Sequence, residues 1–91
     1  MENNNEDETL FADGFDKAIV GVDLVSCPPR IIYDKSKMID ILVHQEEMSI
    51  EDAIDFLAYN VWGAYVGLGT PIYMDDGDSE HIREIIESYE L

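Results

Sequence analysis

The chain is poor in basic residues and in cysteine, and it has no long apolar run. Only five of its 91 residues are Lys or Arg, against 21 Asp or Glu, and the formal net charge is −16. None of the five lies between Met38 and Ile82, a stretch rich in carboxylates. Such a field repels nucleic acid and anionic membranes and attracts cationic surfaces. We therefore expect a basic protein partner, with no direct nucleic-acid or membrane binding.

The other absences bound the class of protein. No apolar run approaches the roughly 20 residues that a membrane helix needs. The polar, acidic start at Met1–Glu8 is the opposite of a secretory signal, which begins basic and turns apolar. We therefore expect a cytoplasmic protein. Cys27 is the single cysteine, so it cannot form an internal disulfide, and we expect a small buried or half-buried thiol.

No motif predicts catalysis or a bound metal. Aligning Gly77 with the EF-hand glycine would put Ile72 and Arg83 at positions that must supply oxygen ligands, so the acidic run Asp75–Glu80 fails as a calcium loop. His44 and His81 have too few Cys or His companions for a zinc site. There is no phosphate loop and no Ser-His-acid order. The sequence predicts no enzyme, no cofactor and no metal.

Hydrophobic patterning predicts a small α+β fold. Two β-rich runs, over 17–25 and 30–33, flank the Pro-containing loop 26–29 and predict a hairpin. Asp34 predicts the N-cap of a helix over 35–47, and Ser49 that of a second helix ending near 60–63. The second helix should bury one stripe of apolar side chains: Ile50, Ala53, Ile54, Leu57, Ala58 and Val61.

A third short strand over 70–74 and a last helix capped by Ser79 complete the pattern. We expect a three-stranded antiparallel sheet with a helical hairpin on one face, in the order β-β-α-α-β, plus the C-terminal helix. The predicted organisation is a flexible acidic tail over 1–12, an α+β domain over 13–76 and an amphipathic helix over 77–91.

The second predicted helix carries the first candidate site. Glu51 and Asp55 lie one turn apart, about 6 Å, with Asp52 beside them, so this carboxylate row can imitate the phosphates of a nucleic-acid strand. A solvated helix face, with acids favoured near the N-terminus by the helix dipole, explains the same residues. The predicted partner-binding set adds Glu47 and two aromatic anchors, giving Glu47, Glu51, Asp52, Asp55, Tyr59 and Trp62.

The aromatic residues allow two interpretations. Phe56, Tyr59, Trp62 and Tyr65 recur at spacings of three, which traces one side of a helix. A core role is favoured for Phe56 and Tyr65, whereas core and interface roles are equally supported for Tyr59 and Trp62.

The last predicted helix carries a second candidate site. This short helix cannot bury its apolar side chains on its own, so it needs another surface on which to dock. A second copy of the chain, related by a two-fold axis, is one such surface. The predicted self-association residues are Ile82, Ile85, Ile86 and Tyr89.

Three segments also carry a resemblance: Gly14-Phe-Asp-Lys-Ala-Ile-Val-Gly21, Ile32-Tyr33 with Lys37, and Asn60-Val-Trp-Gly-Ala-Tyr-Val-Gly67 with Thr70-Pro-Ile72. Over about 14–73 the chain resembles a group of small uncharacterised acidic proteins encoded by bacteriophages. The resemblance implies a phage context and a compact α+β domain, and it carries over no activity and no functional residue.

Two functional hypotheses follow. The first is a non-enzymatic viral protein that binds a basic host protein, such as a nucleic-acid-binding or defence enzyme, and inhibits or redirects it through an acidic, DNA-mimicking surface. The second is a self-assembling structural or accessory module, for example a homodimer.

Overall fold

The fold combines a three-stranded mixed sheet with three helices. The computed structural model describes residues 8–90. Its elements are β1 (Ile19–Asp23), β2 (Arg30–Asp34), α1 (Lys35–Gln45), α2 (Ile50–Leu57), β3 (Ile72–Met74) and α3 (Ser79–Glu90). A 3₁₀ turn (Asp16–Ala18) precedes β1, and a π-helical turn (Ala58–Trp62) extends α2. The predicted α+β class is confirmed, although the element order differs by these two unpredicted turns.

The prediction of a purely antiparallel sheet is wrong. The strand order is β1-β2-β3. β1 and β2 are antiparallel, with Asp23 opposite Arg30, whereas β2 and β3 are parallel, with Ile32 opposite Ile72. Alternation of apolar and polar residues reports which face a side chain takes, but it does not report strand direction.

The connection before β3 explains the parallel pairing. Residues 63–71 return the chain to the end of the sheet where β2 begins, and Arg30 holds it there. The Arg30 Nε donates to the carbonyl oxygen of Thr70 at 2.7 Å and its Nη2 donates to that of Pro71 at 3.5 Å. The buried Thr70 hydroxyl donates to the Gly67 carbonyl at 2.6 Å and accepts from the Val66 N–H at 3.0 Å, which closes the loop.

Two of the three N-cap residues predicted from the sequence are confirmed. The Asp34 carboxylate accepts from the Ser36 N–H at 2.8 Å, and the Ser49 hydroxyl accepts from the Asp52 N–H at 3.1 Å, as predicted. α3 differs, because Asp78 accepts from the His81 N–H at 2.9 Å. Asp78 therefore caps α3, and Ser79 is its first residue.

The core lies between the sheet and the helices, and it is small. Its buried apolar residues are Phe15, Ala18, Ile31, Tyr33, Met38, Leu42, Ala53 and Leu57. Of the stripe predicted for α2, Ala53 and Leu57 are buried, but Ile50 and Ile54 are 61% and 40% exposed. A sheet of strands only three to five residues long is too narrow to cover the whole apolar arc.

Residues 9–12 pack on the domain. The Thr9 hydroxyl donates to the Pro29 carbonyl at 2.8 Å, and the Leu10 N–H donates to the Gly69 carbonyl at 3.2 Å. Gly69 lies so close to the Glu8 backbone that a Cβ at position 69 would overlap it. This part of the predicted tail is therefore held by contacts, and residues 1–7 lie outside the described residues.

α3 has no buried residue. Ile82 and Ile85 are half-buried, whereas Ile86 and Tyr89 are exposed, with Tyr89 at 88%. Leu91, the last residue of the predicted helix, lies outside the described residues. Within 8–90, no helix has the length and apolar content to cross a membrane.

Candidate interaction surface

The exposed side of α2 gathers three carboxylates and one aromatic ring. Ala53 and Leu57 point into the core, so the helical repeat directs Glu51 and Asp55 to the opposite side, with Asp52 beside them, and Tyr59 follows in the π-helical turn that extends α2. All four side chains are exposed, and Tyr59 is 90% exposed. We call this set, Glu51, Asp52, Asp55 and Tyr59, the α2 acidic face.

In the described part of the chain, no Lys or Arg forms an ion pair with the α2 acidic face. Among residues 8–90 the one ion pair joins Lys35 to Asp75, at 3.2 Å between Nζ and Oδ2. Arg30 is engaged by backbone carbonyls near β3. The carboxylates of the α2 acidic face therefore form no ion pair within residues 8–90, and like charges one helical turn apart repel, which favours a cationic partner.

A π-helical turn presents Tyr59. The Asn60 side-chain amide donates to the Phe56 carbonyl at 2.9 Å, within the turn that continues α2. Single π-helical turns occur often at functional sites, because the extra residue redirects the side chains that follow. Here the turn leaves Tyr59 almost fully in solvent while Val61 returns to the core side.

Trp62 lies away from the α2 acidic face. It is half-buried, its Nε1 donates to the Met38 Sδ at 3.5 Å, and the Lys35 Nζ stands 4.6 Å from the ring centroid. The structure therefore separates the two predicted anchors: Tyr59 stays beside the acids, and Trp62 packs against α1. Phe56 and Tyr65, for which core positions were favoured, are 41% and 70% exposed.

Glu47 occupies the turn between α1 and α2. It is exposed, and its backbone takes the left-handed conformation with φ 57°. α1 ends two residues earlier, at Gln45, rather than at the predicted residue 47. Glu47 thus adds negative charge before α2 from a turn, not from the helix that carries Glu51 and Asp55.

A groove that the sequence did not predict lies beside the α2 acidic face. Two surface hollows, of about 350 and 230 Å³, both reach Asp13 and Phe15. Phe56 lines the larger hollow and Asn60 the smaller, so the groove follows one flank of α2 and its π-helical turn. Gly14 and Phe15 were the only local sequence features near this groove. Neither residue indicates a groove unless the fold is known.

A second acidic cluster lies where β2 and β3 end. The pKa of Asp76 is raised, first by its hydrogen bond with the Asp34 side chain and then by the Asp34 charge. Lys35 pairs with Asp75 beside them. Within the described residues, no group of three or more His, Cys, Asp or Glu is placed to hold a metal ion.

Comparison with known proteins gives no relative. No protein-family model, no curated protein and no solved structure matches the chain.

Proposed function

We propose that the chain is a non-enzymatic, phage-encoded interaction protein that binds a basic host protein and inhibits or redirects it. The α2 acidic face is the proposed contact surface, with Glu47 extending its negative field. The observation that carries this proposal is the combination of carboxylates that form no ion pair within residues 8–90 with a tyrosine that is 90% exposed in the adjoining π-helical turn. An exposed aromatic residue ringed by charge is a common interface anchor.

The spacing of the carboxylates supports a partner that ordinarily binds nucleic acid. Glu51 and Asp55 stand about 6 Å apart along α2, close to the repeat of phosphates along one strand. A nucleic-acid-binding or defence enzyme would meet these carboxylates with the Lys and Arg side chains that it uses for phosphates.

Affinity capture with a competitor tests this proposal. The immobilised protein is incubated with bacterial host lysate at low and high ionic strength, and bound proteins are then eluted with duplex DNA. We expect basic proteins that bind at low salt, weaken as salt rises and are displaced by DNA. Capture of salt-indifferent proteins alone, or of none, would contradict the proposal.

Self-association is the second candidate function, and α3 is the observation that favours it. Ile86 and Tyr89 are exposed on a helix without a buried residue, whereas Ile82 and Ile85 are half-buried, so within residues 8–90 the predicted self-association stripe is only partly covered. Sedimentation of the wild type and of the Ile86→Glu variant over a wide range of protein concentrations shows whether the chain self-associates through α3. A dimer that the substitution dissociates supports this candidate, and a monomer at high concentration excludes it.

A further inference from the structure

The two hollows share Asp13 and Phe15 among their lining residues, so they adjoin at this point of the surface. Phe15 is only 8% exposed, so it forms the floor where the hollows meet. Ile41, Met48 and Phe56 supply apolar wall to the larger hollow, and Phe11, Val61 and Val66 do so in the smaller one. We call this surface the Phe15 groove.

We propose that the Phe15 groove is the docking site for an amphipathic segment of a basic protein. Its apolar side chains would enter the two hollows while its Lys or Arg side chains face Asp13, Glu46 and Asp52. The proposal rests on the proposed function, and it adds an apolar anchor site to a surface otherwise defined by charge.

The size and lining of the groove favour side chains over a small molecule. Small-molecule pockets enclose about 300–1,000 Å³ and bury most of their ligand. The larger hollow, at about 350 Å³, lies near the lower end of that range and the smaller, at about 230 Å³, lies below it, and exposed residues line both along the edge of α2. Two adjoining apolar hollows match neighbouring anchor residues of one protein segment.

The charges around the groove determine the chemistry of the occupant. Asp13 and Glu46 are the charged side chains that line it, and among residues 8–90 no Lys, Arg or His lines either hollow. Asp52 lies one helical turn before Phe56, which brings the α2 acidic face to the edge of the groove. A segment flanked by Lys or Arg would gain charge pairing around an apolar contact.

Two occupants from the chain itself fit less well. Residues 1–7 contain Glu2, Glu6 and Asp7, with Met1 as the only large apolar residue, so they would bring negative charge and little to fill the hollows. A second copy could offer the apolar stripe of α3. Each copy carries a net charge of −16, however, so its approach to an acidic rim is opposed.

Groove-filling variants and defined peptides test the proposal. Gln45→Trp fills the larger hollow and Ala64→Phe the smaller, and both positions are exposed, so the fold should tolerate the change. His44→Trp is the matched control, because His44 is exposed on α1 but lines neither hollow. Thermal unfolding first establishes that all three variants fold.

The probes are three synthetic helical peptides of equal length, built from Lys and Leu, Glu and Leu, or Lys and Ser. Amide chemical shifts of the isotope-labelled protein report where each peptide binds. We expect the Lys/Leu peptide to shift the amides of Gly14, Phe15 and Val61, and to bind about tenfold or more weakly to each groove-filling variant. His44→Trp should bind as wild type, and the other two peptides should leave the groove amides unchanged.

Any of three results would overturn the proposal that the Phe15 groove is a docking site. These are binding of the Glu/Leu peptide as tightly as the Lys/Leu peptide, chemical-shift changes confined to the α2 acidic face, or groove-filling variants that bind the Lys/Leu peptide as wild type does. None of these results would remove the proposed function, because salt-sensitive host-protein capture does not require the groove. Loss of host-protein capture together with intact Lys/Leu binding would instead contradict the proposed function alone.

Discussion

The Ala12 N–H donates to the phenolic oxygen of Tyr33 at 2.8 Å, and the Tyr33 side chain is completely buried. This hydrogen bond fastens the segment before β1 to the central strand of the sheet. Burial raises the pKa of Tyr33, which keeps the hydroxyl protonated well into the alkaline range. The same segment forms a wall of the Phe15 groove, so the bond also positions part of the proposed docking site.

Tyr33→Phe should destabilise the fold by about 1–2 kcal/mol, because it leaves the partly buried Ala12 N–H without its acceptor. Urea denaturation followed by circular dichroism measures the free energy of unfolding. Tyr73→Phe is the matched control: Tyr73 is half-buried with its ring centroid 5.8 Å from that of Tyr33, and its hydroxyl makes no hydrogen bond within residues 8–90. Equal losses in the two variants would show that the Ala12 bond contributes nothing.

Glu47→Gly should stabilise the protein by about 1 kcal/mol. Glu47 holds φ 57°, a conformation that costs non-glycine residues about 1–2 kcal/mol and that glycine adopts freely. Thermal unfolding compares this variant with Glu46→Gly, which removes the same charge one residue earlier at φ −105°. A gain from Glu46→Gly as large as that from Glu47→Gly would mean that relief of charge repulsion, not backbone conformation, is responsible.

Asp76→Asn should raise the melting temperature at neutral pH and lose this advantage in acid. Because the Asp34 side chain raises the Asp76 pKa above its ordinary value of 3.8, the folded protein holds that proton more tightly than the unfolded chain. Wild-type stability from this pair is therefore present below pH 3.8 and is lost as the pH rises through the raised pKa. Asparagine stays uncharged throughout, so the difference between the two proteins should grow across that window.

Asp40→Asn supplies the control for the Asp76 experiment, because Asp40 is an exposed carboxylate on α1 without an ion pair in the described part of the chain. The melting temperatures of the two variants are compared with that of the wild type at each pH. A pH-independent difference for Asp76→Asn would contradict the raised pKa.

Local patterns were sufficient to predict much of the fold. The caps at Asp34 and Ser49 follow from the ability of their side chains to accept orphan N–H groups, and the structure has both. Strand direction was not accessible in this way. The parallel pairing of β3 depends on where Arg30 holds residues 70 and 71, a contact across about half the chain that no local pattern reports.

The candidate site was also predictable only in part, because local spacing places some of its residues and long-range contacts place the others. Helical spacing alone places Glu51 and Asp55 together, opposite Ala53 and Leu57. Trp62 separates from Tyr59 because the π-helical turn breaks the regular spacing, and propensity does not predict such a turn. The Phe15 groove needs Asp13, α1 and α2 to meet in space, so its residues are recognisable only in the folded chain.

Host-protein capture by two charge-matched variants tests the central claim most directly. Glu51→Gln/Asp55→Asn removes two charges from the α2 acidic face, and Glu84→Gln/Glu87→Gln removes two from α3. At exposed-pair strengths of about 0.2–1 kcal/mol each, the first variant should bind the captured host protein about 2- to 30-fold more weakly, while the second should bind as wild type. Equal weakening by both variants would mean that net charge, and not the α2 acidic face, attracts the partner.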